Sequence, residues 1–165
     1  MSDQPSSSRQ LSSCFSPSGF DMLGVLIRVA TRPNPVVNIG NVDMSCPFVV
    51  CDALAEDYPI VYCSEYFERL TGYPLDEILG RNCRFLQAPY GELEKRRIGP
   101  TIEEVKHLKV MIQAKQEVQV PLVNYRKDGK PFMNLVTVIP IEWEQGKGVR
   151  YFVGFQADVS NPGIG

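Results

Sequence analysis

Five cysteines, Cys14, Cys46, Cys51, Cys63 and Cys83, and three amides set in otherwise alternating segments, Asn124, Asn134 and Gln156, are the side chains with chemistry to offer. Thiols can hold a metal, pair with each other or act as nucleophiles. The count is odd, no Cys-x-x-Cys pair occurs, and His107 is the single histidine. A zinc site would need widely scattered thiolates, so no metal is expected. Reduced cysteines fit the cytosol or nucleus. Cys46, Cys51 and Cys63 read as small packing residues. An exposed member with a lowered pKa would instead be an oxidant sensor. Cys83 is set apart by its neighbours, Gly80-Arg-Asn-Cys-Arg-Phe-Leu-Gln87.

These residues need elements to position them. The chain has 165 residues, 44% apolar and 22% charged, which fits one globular domain with a sizeable core. Residues 1–18 are rich in Ser, Pro and Gln and read as a disordered tail. Residues 19–43 read as a cap outside the domain, a short helix over Gly19–Ala30 and an extended strap at Arg32-Pro-Asn-Pro35, since each proline pushes the residue before it out of helix. The helix spacing puts Met22, Leu23, Leu26 and Ile27 together.

The domain proper spans 44–159, and 160–165 is a second tail. It opens with strands at Phe48–Cys51 and Ile60–Cys63. Short helices follow, capped by Ser64 and ended by Gly72, then at Pro74–Leu79 and Asn82–Leu86. Ala88–Pro100 is polar and irregular. Thr101 caps a longer helix whose stripe is Ile102, Val105, Leu108 and Ile112. Period two then takes over at Glu117–Arg126, Phe132–Trp143 and Val149–Val159. The expected fold is α+β, a five-stranded antiparallel sheet with short helices on one face.

Lys+Arg is 17 against 19 Asp+Glu, a net charge of −2, which argues against broad binding to DNA or an anionic membrane. No apolar run approaches the roughly 18–20 residues that cross a bilayer. Met22–Ala30 is short and broken by Arg28, and the N-terminus lacks a basic-then-apolar signal layout. The expectation is a soluble cytoplasmic or nuclear protein with no membrane or direct nucleic-acid partner.

The Gly80–Gln87 string closely resembles the LOV class of PAS domains, the flavin-binding blue-light sensors. Val123-Asn-Tyr-Arg-Lys-Asp-Gly129, Phe132-Met-Asn-Leu135 and Gly154-Phe-Gln156 match as well, so the likeness runs from Met44 to about Val159. The arm, Gly19-Phe-Asp-Met-Leu-Gly24 and Arg32-Pro-Asn-Pro35, resembles the fungal short LOV proteins of the Vivid and Envoy kind, the Envoy kind more closely. The resemblance implies a PAS/LOV fold and a light-driven, reversible bond between Cys83 and flavin C4a, with Gln156 beside N5 relaying the change. It implies that Arg84 holds the flavin phosphate and that Asn82 and Gln87 contact the ribityl chain. Lys109 stands where many plant members carry a second arginine, supplying charge without a bidentate fork.

Amides suit the pyrimidine edge because they offer donor and acceptor without charge. Asn124 and Asn134 are the candidates. A two-residue hairpin loop would send them to opposite faces, whereas a three- or five-residue loop would set them opposite each other on one face. The loop Ala88–Pro100 is longer than in plant members and holds Lys95, Arg96 and Arg97. Arg96 and Arg97 are candidate clamps for a second phosphate, which favours FAD, with FMN also able to bind.

No output domain is expected after Val159. The resemblance implies that the cap repacks through a hinge near Asp43–Pro47. Met22, Leu23, Leu26 and Ile27 would then meet a second copy on illumination. It further implies a White Collar type transcription regulator as partner. A thiol-based oxidative-stress sensor using Cys46, Cys51 or Cys63 is the alternative. Enzymatic turnover is not expected, since no Gly-rich nucleotide turn or acid/base pair is visible.

Overall fold

A computed structural model of the chain describes residues 20–92 and 101–160. The expected tail 1–18, residues Arg96 and Arg97 and nearly all of 160–165 lie outside them. Alternation of apolar side chains builds five strands: β1 (Phe48–Asp52), β2 (Ile60–Cys63), β3 (Val118–Tyr125), β4 (Pro131–Glu142) and β5 (Val149–Asp158). They form one antiparallel sheet in the order β2-β1-β5-β4-β3. This is the five-stranded antiparallel arrangement read from the sequence.

The two faces of the sheet serve different purposes. One carries Val49, Cys51, Val120, Leu122, Val136, Val138 and Phe152, and packs with Phe67, Ile78, Phe85 and Leu86. Those partners come from α2 (Glu65–Thr71), α3 (Leu75–Ile78) and a 3-10 helix at Cys83–Gln87. Ser64 caps α2 by accepting from the Phe67 N–H, and Gly72 ends it in the left-handed region at φ 78°, a conformation that glycine adopts without a Cβ penalty. Pro74 stands at the N-cap of α3, one position ahead of the helix. The element read as Asn82–Leu86 is the 3-10 helix, with Asn82 as its cap.

The long helix α4 (Ile102–Gln113) leaves none of its residues fully buried. Val105, Leu108 and Ile112 lie half-buried against the core. Thr101 begins the helix but its side chain caps nothing there; its Oγ1 instead accepts from the Val123 N–H at 3.4 Å. Of the stripe read from the sequence, Val105, Leu108 and Ile112 both touch the core and line a cavity.

The opposite face of the sheet is closed by the cap helix α1 (Met22–Ala30). Val25, Leu26 and Val29 pack on Phe48, Val50, Ile139, Ile141, Val153 and Phe155. This corrects the expected face: Leu23 and Ile27 are exposed while Leu26 is buried, because the sheet takes the stripe one position along. Arg28 lies 3.6 Å over the Trp143 ring and donates to the Trp143 carbonyl at 3.1 Å. Burying three aliphatic side chains is worth roughly 1.5–3 kcal/mol each, so wholesale loss of α1 would cost more than a switch of a few kcal/mol supplies.

The strap after α1 is anchored at one point. Glu117 pairs with Arg32 and accepts from the Val36 and Val37 N–H groups at 2.7 and 2.8 Å. Burial pushes the Glu117 carboxyl up, but the hydrogen bonds from Arg32, Val37 and Val36 outweigh it and hold it below the ordinary 4.5. A depressed folded-state pKa gives stability that is present above the unfolded value and lost as pH falls through the folded one. Glu117→Gln is expected to lower stability by about 1–2 kcal/mol at neutral pH. Denaturant midpoints should converge with wild type below pH 4.5; a gap that persists in acid would place the loss elsewhere.

Candidate functional site

The half-open space between the sheet and α4 is a cavity of about 520 Å³, within the range of small-molecule sites. Apolar side chains dominate its walls. Val49, Leu122, Val136, Val138 and Phe152 come from the sheet, Leu86 from the 3-10 helix, and Val105, Leu108 and Ile112 from α4. Polar groups gather at two places. Asn124, Gln156 and Cys83 line the interior, while Asp57, Asn82, Arg84, Gln87, Lys109 and Gln113 line the remainder.

The turn that carries Cys83 is built by its own sequence. Asn82 Oδ1 accepts from the Arg84 N–H at 3.0 Å, and its Nδ2 donates to the Asp57 carbonyl at 2.7 Å. This fixes the 3-10 geometry and leaves Cys83 on the cavity wall. Cys83 Sγ lies 4.0 Å from Cys51 Sγ. The sulfur contact with Cys83 and burial both push the Cys51 thiol well up. Burial pushes Cys63 up to about 12. Thiols held protonated and buried react poorly with oxidants, which weighs against Cys51 and Cys63 as the oxidative-stress sensors of the alternative reading. Cys46 is half-exposed.

Three amides form a chain along the floor. Residues 126–130 join β3 to β4, with Tyr125 paired to Pro131, and the Arg126 N–H donates to the Lys130 carbonyl at 2.9 Å, which closes a three-residue loop at 127–129. It puts Asn124 and Asn134 on one face, as a three-residue loop must. They are not opposite each other, however: Asn134 pairs with Leu122, and Asn124 with Phe132. The amides meet diagonally, Asn134 Nδ2 donating to Asn124 Oδ1 at 2.9 Å and to Gln156 Oε1 at 3.2 Å. Asn134 Oδ1 accepts from the Ala157 N–H at 3.1 Å. Gln156 Nε2 donates to the Gly154 carbonyl at 2.7 Å.

Asn134 is fully buried and does not itself line the cavity, whereas its two partners do. Asn134→Ala would strand Asn124 Oδ1, Gln156 Oε1 and the Ala157 N–H. A loss of about 2–3 kcal/mol is expected by chemical denaturation; a change below about 0.5 kcal/mol would mean the amides re-pair without it.

Gly154 supplies the close approach. A Cβ built there would stand 3.3 Å from Val49 Cγ2 and 3.6 Å from Gln156 Nε2, so any side chain would intrude on the slot beside Gln156. A flat apolar slot, amides at its floor, a thiol on its wall and two cations, Arg84 and Lys109, at its edge fit a flavin's ring and phosphate. Arg84 already has a carboxylate partner in Asp57, with Nη1 at 2.9 Å from Oδ1 and a second contact from Nη2. Hydrogen bonding from Arg84 holds the Asp57 carboxyl below its ordinary range.

The structure thus brings Cys83, Asn82, Arg84, Gln87, Lys109, Asn124 and Gln156 to one cavity, with Asn134 behind its wall. Asp57 and Cys51 were missed from sequence. Asp57 sits in a turn whose Asp-Tyr-Pro signal marks the bend but not the direction of the carboxylate. Val49 lines the cavity, whereas Ile60 is packed in the core.

Comparison with known proteins agrees with this architecture. The PAS domain family model matches residues 45–161. White collar 1 protein of Neurospora crassa is 53% identical over 152 residues, 91% of this chain and 13% of its own length. A variant of the fungal photoreceptor VVD superposes with a TM-score of 0.80 at 41% identity, covering 87% of this chain and 97% of that one. The light-state dimer of the fungal blue-light photoreceptor Vivid gives a TM-score of 0.76 at 40% identity, with 87% and 98% covered. The chain thus spans less than a fifth of White collar 1 but nearly the whole of the VVD and Vivid structures. A five-stranded antiparallel sheet, a cavity with a thiol on its wall and amides on its floor, and this degree of identity to fungal photoreceptors together show that the chain belongs to the LOV class of PAS domains, among the blue-light photoreceptors.

Proposed function

We propose that the cavity holds a flavin and that Cys83 is the photoreactive thiol of this sensor. LOV domains bind a flavin chromophore. Bound here, it would absorb blue light and offer C4a to the thiol, the S–H bond breaking as the S–C bond forms and the proton going to N5, with reversal in the dark. One observation supports this reading above the rest. The Cys83 thiol shares a cavity wall with Gln156 and Asn124, so sulfur and hydrogen-bonding amides address a single ligand. Arg84 and Lys109 would neutralise phosphate at the mouth, and Asn82 and Gln87 would contact the ribityl chain. FAD is favoured over FMN because the 88–100 loop is long and holds Arg96 and Arg97.

Gln156 would relay the change. Its amide is tied at both ends, to Asn134 and to the Gly154 carbonyl. Turning it over sets carbonyl against carbonyl and sacrifices two hydrogen bonds, about 2 kcal/mol. Only a ligand atom that changes from acceptor to donor would repay that. The Gln156 main-chain N–H also donates to the Pro47 carbonyl at 2.9 Å, which links it to the hinge Asp43–Pro47. Its neighbour Phe155 packs 5.8 Å from Phe48 on the cap side. The cap therefore repacks rather than detaches, and exposed Leu23 and Ile27 offer the surface for a second copy. Leu26 stays in the sheet. A White Collar type regulator is the partner class proposed.

Extraction of the cofactor and an absorbance time course test the reading directly. A yellow protein that bleaches in blue light and recovers in darkness is expected. A colourless protein that takes up no added flavin would end it.

A further inference from the structure

The cavity carries one carboxylate among the described residues that line it, Asp57, paired with Arg84, and Lys109 lines it as a second cation. Asp57 is held in place from three directions. Its backbone adopts φ 61°, followed by Tyr58 at φ 47°, a left-handed pair that non-glycine residues rarely form. Its carbonyl accepts from Asn82 Nδ2 at 2.7 Å, and its carboxylate takes Arg84 on both oxygens. Tyr58 is wedged edge-on against Phe152 at 5.1 Å. The backbone therefore holds the Asp57 carboxylate next to Arg84, where an incoming anion must share the guanidinium with it.

We propose that Asp57 determines which phosphate the cavity accepts: its carboxylate shares Arg84 with the incoming group and disfavours a phosphomonoester relative to a diester. The inference rests on the flavin reading above. Charge per phosphate carries the argument. A monoester bears about −1.5 to −2 at neutral pH, whereas each phosphate of a diphosphate diester bears a single negative charge. Repulsion from one carboxylate grows with the charge of the group beside it, and Arg84 has only part of its donor set left to give. FMN ends in a monoester, FAD carries a diester, and riboflavin carries no phosphate.

Competition binding in the dark tests this with the full chain equilibrated against equimolar FMN and FAD, and separately against riboflavin. Asp57→Asn removes the charge and keeps a residue tolerant of the left-handed region. Asp57→Gly removes the carboxylate and relaxes the backbone, so it serves if the asparagine variant fails to fold. Asp57→Glu keeps the charge. Both neutral variants are expected to shift the bound FMN:FAD ratio toward FMN by about five- to tenfold, the size of one unit-charge interaction near a wet surface. Riboflavin affinity should stay within about twofold, a readout that a general loss of structure would move. An unchanged ratio, or a drift toward FAD, in variants that still bind riboflavin overturns the role of Asp57. Failure of the wild-type chain to bind any of the three flavins would instead remove the flavin reading itself.

Discussion

Cys83→Ala is expected to keep its flavin and its blue absorption band while losing reversible bleaching to background. The thiol is one small side chain on a largely apolar wall, and Cys83 is half-buried. Its truncation therefore costs about 1 kcal/mol or less in stability, and cofactor retention should be unaffected. Absorbance under illumination, with mass spectrometry of the intact protein, reads the outcome. The second sulfur, Cys51 at 4.0 Å, provides a demanding control. With Cys83 gone, burial still holds its proton, so it should not substitute. Bleaching that persists in Cys83→Ala and disappears only with Cys51→Ala added would transfer the photochemistry to Cys51.

Gln156→Leu should separate photochemistry from signalling. The leucine fills a similar volume but offers nothing to Asn134, to the Gly154 carbonyl or to a ligand atom. Bleaching should therefore survive, while the light-induced change in assembly disappears. Sedimentation in dark and light measures it: the wild-type chain is expected to approach twice its mass on illumination at sufficient concentration, and Gln156→Leu to hold one mass in both. Asn134 Nδ2 keeps its bond to Asn124 but loses the one to Gln156, and the Gly154 carbonyl loses its donor, a cost of about 1–3 kcal/mol, so melting curves must accompany the comparison. If Gln156→Leu still dimerises in light, the relay does not pass through this amide. The coupling would then have to run through the main-chain bond from residue 156 to the Pro47 carbonyl or through the Phe155–Phe48 contact.

Much of this molecule is written in local patterns. Alternation fixed the three long strands to within a residue or two, because a half-buried strand must alternate whatever lies around it. Ser64 and Gly72 marked the ends of α2 because a cap needs only its own turn. Cys83 and the residues around it were legible as a string, since the 3-10 helix is made by Asn82 bonding two residues ahead. Parity likewise settled that Asn124 and Asn134 share a face once the loop has three residues.

What depended on distant partners was not legible. The stripe of α1 looked as if it centred on Met22, Leu23, Leu26 and Ile27, and the sheet instead takes Val25, Leu26 and Val29. Periodicity gives a helix an apolar side but not its rotation, which is decided by whatever it packs against. The same holds for Asn134: sequence offers an amide suited to a ligand edge, yet the fold places it behind the wall as the link between Asn124 and Gln156. Arg84 was read as a phosphate ligand, and a turn twenty-seven residues away supplies it with Asp57. The amino-acid sequence by itself determined which elements form and which side chains carry chemistry, because backbone preference and alternation act over a few residues. Only tertiary structure decided helix rotation, ion-pair partners and which amide meets the cavity, because those are set by contacts between segments far apart in the chain.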